Sequence, residues 1–108
     1  MKELTGILDR IINANHRYRI LKLSNVIEQS EILRDLSCAY SDLTLLKEQY
    51  RDEWLDAYNA ETGSNAKKER SADSSVREYD KVKDVLKATE LQIQVVRSTI
   101  SANKKQEQ

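Results

Sequence analysis

Two heptad stripes that mirror each other about one glycine constrain this chain more than any other feature. From Ile32 the positions Ile32, Leu36, Ala39, Leu43, Leu46, Tyr50, Glu53 and Ala57 alternate spacings of four and three, the rhythm that keeps one face of an α-helix against a neighbouring helix. After Gly63 the rhythm returns at Ala72, Ser75, Tyr79, Val82, Leu86, Thr89, Ile93, Val96 and Ile100. Folding the chain back at Gly63 sets Ala57 opposite Ala72, Tyr50 opposite Tyr79, Leu43 opposite Leu86 and Leu36 opposite Ile93. The alternate layers match Leu46 with Val82, Ala39 with Thr89 and Ile32 with Val96. Small meets small, ring meets ring and aliphatic meets aliphatic, a symmetry that a straight helix has no cause to carry. In "TGSN", Gly63 can take the positive φ that ends one helix, and Ser64 or Asn65 can cap the next.

The expected architecture is therefore all-α: a long antiparallel, coiled-coil-like hairpin with arms over 26–61 and 66–103, a turn at 62–65 and a polar tail at 104–108. Composition agrees, since the chain has no proline, two glycines and 33% charged residues, the balance of a long-helix protein. The second arm, about 55 to 60 Å long, reaches back only to about residue 26. There Asn25 and Glu28 have the spacing of a capping box, so the residues before them form a separate helix over 3–23. Leu4, Ile7, Ile11, Ala14, Tyr18 and Leu21 give that helix its own heptad stripe, widened by Leu8 and Ile12. On the middle helix Val26, Leu33, Tyr40, Lys47 and Trp54 repeat every seven residues beside the seam, whereas Leu45, Leu55, Leu91 and Val95 fall off both stripes. Two helices cannot bury all of this, so the first helix either completes a three-helix bundle or pairs with a second copy. The whole chain of 108 residues reads as a single helical domain.

Charge and chemistry remove most functional classes. Eighteen Lys and Arg balance eighteen Asp and Glu, so no global field draws the chain to nucleic acid. The single cysteine, Cys38, cannot form an internal disulfide, the first residues lack the pattern of a secretory signal, and no apolar run has the length of a membrane span. A cytoplasmic protein without a membrane partner is expected. His16, the one histidine, has no ligand at metal-binding spacing, and Cys38 in "DLSCAY" has no base to activate it. Glycines at 6 and 63 alone cannot build a phosphate loop. The carboxylate pairs Asp52 with Asp56 and Asp80 with Asp84 stand one helical turn apart. Lys83 and Lys87 follow the second pair at three-residue spacing, the lacing of a solvated face. No catalytic, cofactor-binding or metal-binding residue is nominated, and an enzyme is not expected.

Two segments stand out. In "RIINANHRYRILK", Arg10, His16, Arg17, Tyr18, Arg19 and Lys22 combine cations with a ring, a set that could contact phosphates and a stacked base or else pair with acids of a neighbouring helix. The pairing is the preferred reading. In "LKEQYRDEWLDAYNAET", Asp52 and Asp56 accompany Trp54, Leu55 and Tyr58, and acids beside large rings form a plausible protein-docking surface. Leu55 and Tyr58 are expected to point away from the seam.

The run from "AYSDLTLLKEQYRDEWLDAYNAETGSNAKKERSA" through "LKATELQIQVVRSTISANKK" resembles small all-helical accessory proteins encoded by bacteriophages, in rhythm and residue type. The resemblance implies a protein of the bacterial host cytoplasm that binds and inhibits a host or defence protein, or one that assists recombination. The leading expectation is thus a non-enzymatic protein-binding module contacting another protein through Trp54, Leu55, Tyr58, Asp52 and Asp56, with homodimerisation left open. The alternative is a nucleic-acid accessory protein that works through the basic first helix in recombination or replication.

Overall fold

The structure is a computed structural model that describes residues 2–21 and 25–107. It contains three helices, α1 (Lys2–Ile20), α2 (Val26–Ala60) and α3 (Asn65–Glu107), and among the described residues no strand. Local chemistry explains each boundary. Asn25 caps α2, its Oδ1 accepting the Glu28 N–H at 3.0 Å, which satisfies one of the amides left over at a helix start. Gly63 adopts φ +144°, a backbone conformation that side-chain-bearing residues avoid. Ser64, one of the two expected caps, starts α3 by accepting the Lys67 N–H on its Oγ at 3.3 Å. Lys67 Nζ also reaches Glu61 Oε1 across the turn at 3.3 Å.

The hairpin seam forms nearly as the sequence orders it. Ile32, Leu36, Ala39, Leu43, Leu46 and Tyr50 of α2 are buried, as are Ala72, Val82, Leu86, Thr89, Ile93, Val96 and Ile100 of α3. Thr89 tolerates burial because its hydroxyl donates to the Val85 carbonyl at 2.7 Å. The Ala57–Ala72 layer lets the backbones come close, and the Ser71 hydroxyl reaches the Ala57 carbonyl across the gap at 3.5 Å.

Four readings need correction. Glu53 is exposed rather than part of the seam, since a carboxylate without a partner cation keeps its hydration instead of entering an apolar layer. Gln29, which the sequence reading left out, is fully buried and adds a layer: Asn103 Nδ2 donates to Gln29 Oε1 at 3.0 Å. The polar residues after Asn103 do not leave the fold as a tail but continue α3 through Glu107. Ile12 does not extend the buried stripe of α1, being 63% exposed.

Helix α1 folds back antiparallel on α2 of the same chain. Ile7, Ile11 and Ala14 enter the shared core, with Leu4, Tyr18 and Leu21 packed at its margin. Its contact with α3 is slight beside its contact with α2, and includes a hydrogen bond between the Tyr18 hydroxyl and Thr99 Oγ1 at 2.7 Å. At 1.5 Å per residue the 19 residues of α1 span about half the 43 of α3. The molecule, 65 × 23 × 16 Å, is therefore a three-helix bundle at one end and a two-helix arm at the other. Beyond Tyr50 and Tyr79 toward the turn, Ala72 alone is buried among the described residues.

Candidate docking surface

The arm carries the acid-and-ring cluster on α2. Trp54 and Tyr58, one helical turn apart, are both half-buried, with ring centroids 6.1 Å apart and planes tilted by 33°. Lys68 Nζ of α3 lies 5.5 Å from the Tyr58 ring centroid, a cation–π arrangement. Tyr58 is thus half-buried at the flank of the seam, beneath a cation that α3 extends over it. Leu55 is more open, at 37% exposure. Asp52, three residues before Leu55, and Asp56, directly after it, are exposed on the same outward side. The structure therefore stacks Trp54 with Tyr58, sets Leu55 between them and the two aspartates, and leaves the aspartates facing water.

Three acids of α2 meet cations of α1. Glu28, Asp35 and Asp42 recur at seven-residue spacing along the flank that meets α1, and α1 supplies arginines at the same spacing. Arg10 pairs with Asp42 and Arg17 with Asp35, while Arg17 Nη1 also lies 3.9 Å from Glu28 Oε1. Toward the turn, beyond the start of α1, the described residues show no such pairing between helices α1 and α2. Asp52 has only Arg51 Nε at 3.8 Å on its own helix, and Glu48, Glu53 and Asp56 form no ion pair among the described residues.

Where α1 begins beside α2, Gly6, Ile7 and Arg10 face Asp42, Leu45, Leu46 and Gln49 across a mainly apolar groove of about 460 Å³. Gly6 lies on its open side, where a Cβ would meet nothing within 4 Å. Leu45 forms its other wall and is 61% exposed. Sequence reading marked Leu45 as surplus apolar surface but offered no sign of Gly6 as a groove residue, because a groove wall is defined by the helix opposite.

The basic segment is accounted for differently. Arg10 and Arg17 are engaged by α2, Tyr18 by Thr99, and His16 and Arg19 are exposed; Lys22 lies outside the described residues. The five described members of the set do not converge on one surface. Among the described residues no three His, Cys, Asp or Glu side chains gather to hold a metal ion. Cys38 is an exposed free thiol. On α3, Lys83 approaches Asp80 at 3.9 Å and the Tyr79 ring centroid at 5.1 Å, consistent with a solvated charged face. No described helix is long and apolar enough to cross a membrane. Comparison with protein-family models, with curated proteins and with solved structures returns no match.

Proposed function

We propose that this chain is a non-enzymatic protein-binding module whose contact surface is the outward side of the arm: Trp54, Leu55 and Tyr58 with Asp52 and Asp56. The observation that carries this reading is the arm itself. It extends past the three-helix core, buries almost none of its own side chains, and yet holds two neighbouring rings beside exposed acids, of which Asp56 forms no ion pair among the described residues. Rigid aromatics beside charge supply much of the energy of protein interfaces. As an accessory protein of the bacteriophage type, acting in the cytoplasm of a bacterial host, the module would bind a host or defence protein and inhibit it by covering a working surface.

Affinity capture from a bacterial lysate, with and without nuclease, tests the reading when the wild-type chain is compared with the Trp54→Ala, Tyr58→Ala double variant. One protein held at near-equal amount in the wild type, lost in the variant at unchanged helicity and inactivated on binding, is the expected result. Retention by the variant would move the site off the arm. Recovery of nucleic acid instead would favour the recombination reading, which draws less support because Arg10 and Arg17 already neutralise acids of α2.

A further inference from the structure

We infer that the groove between Gly6 and Leu45, together with Asp52 and Asp56, recognises a basic amphipathic helix: an apolar side chain seated in the groove, with Lys or Arg following along α2. This deepens the protein-binding reading and rests on it, naming the partner's chemistry and adding an anchor away from the rings.

Three observations meet here. Leu45, Gln49, Asp52 and Asp56 follow at spacings of four, three and four, so they form one exposed stripe of α2. Asp52 and Asp56 stand about 10 and 16 Å along the helix from Leu45, which matches cations two and three turns after an apolar anchor on a docked helix. The second observation is the pattern by which α1 itself docks. The same helix already binds an amphipathic helix through acids at seven-residue spacing, Asp35 and Asp42, matched to Arg17 and Arg10. That row runs on through Gln49 to Asp56, which forms no ion pair among the described residues. The third is Gly6. A glycine inside a helix costs about 1 kcal/mol relative to alanine, and here no neighbour would obstruct a side chain. That side of α1 is open, so a guest side chain can lie against it without steric conflict.

The test uses helical peptides of about 20 residues, with leucine on one stripe and arginine, glutamine or glutamate at the flanking positions. Their binding to the full chain is read by fluorescence anisotropy at low and high salt. The arginine peptide should bind best and lose affinity with salt. Gly6→Leu, which fills the groove while improving α1, should weaken it by about tenfold or more, and Asp52→Lys with Asp56→Lys should shift preference to the glutamate peptide. Equal binding of all three peptides, binding of none, or unchanged binding by Gly6→Leu at native helicity would overturn the inference. Sedimentation of the chain alone distinguishes the other occupant: a dimer abolished by Gly6→Leu assigns the groove to a second copy and overturns it too. The Trp54→Ala, Tyr58→Ala variant separates the two readings. If it keeps the arginine peptide, the groove stands without the rings; if lysate capture is lost there while Gly6→Leu retains it, the rings stand without the groove.

Discussion

Single residues at the core of this molecule matter through what they leave unpaired. Gln29 is fully buried and accepts a hydrogen bond from the half-buried Asn103, so leucine at position 103 takes that bond from a buried amide, at a cost of about 1 kcal/mol. Replacing both with leucine removes the need for pairing, and apolar side chains of similar volume are often neutral or better at such a site. Urea unfolding should therefore find Asn103→Leu destabilised and the Gln29→Leu, Asn103→Leu double variant closer to wild type. Two equal losses that add would show instead that the pair contributes little as a pair. The layer was not legible in the sequence, because a glutamine at a heptad position reads as surface until its partner is known. For Tyr58 the place on α2 was legible, but its contact with Lys68 depends on which residue α3 sets beside it.

At the scale of elements, the helices are held by different means. The α2–α3 arm relies on small residues, and Ala72 is fully buried where the backbones approach. Ala72→Leu should force the arm apart and destabilise by about 1 to 3 kcal/mol, seen as faster amide exchange near the turn while the bundle end keeps its protection. Helix α1 is held by its apolar stripe and by two arginines on one flank. Those pairs are partly exposed and screened by salt, worth about 0.5 kcal/mol each. Arg10→Ala with Arg17→Ala should thus lower overall stability by about 1 kcal/mol, with exchange quickening chiefly in α1 and the difference from wild type shrinking at high salt. The reciprocal spacing of these charges was present in the sequence, as the preference for pairing with a neighbouring helix recognised. Which helix supplied the acids was not.

The whole molecule is graded from end to end. Three helices share a core around Leu36, Leu43 and Val96, all fully buried, whereas the arm has two helices and one buried side chain. Local stability follows buried apolar contact, so native-state hydrogen exchange should report the highest protection around those core residues and progressively lower protection toward Gly63. Uniform protection along α2 would contradict the two-zone description. The gradient fits the docking role proposed for the arm, since its less protected helices could adjust to a partner while the bundle keeps its packing.

The sequence by itself determined three helices, a turn at Gly63 and which faces of α2 and α3 turn inward, because heptad period, capping residues and a positive-φ glycine act within a few residues of chain. It also marked the half-buried row from Val26 to Trp54 and the surplus apolar residues, since both follow from counting around one helix. Only the tertiary structure decided that α1 docks on its own chain, that Glu53 stays in water, that Gln29 and Asn103 close the bundle, and that Gly6 and Leu45 bound a groove. Each of these depends on which face of one helix meets which face of another, and a one-dimensional period carries the face without its neighbour.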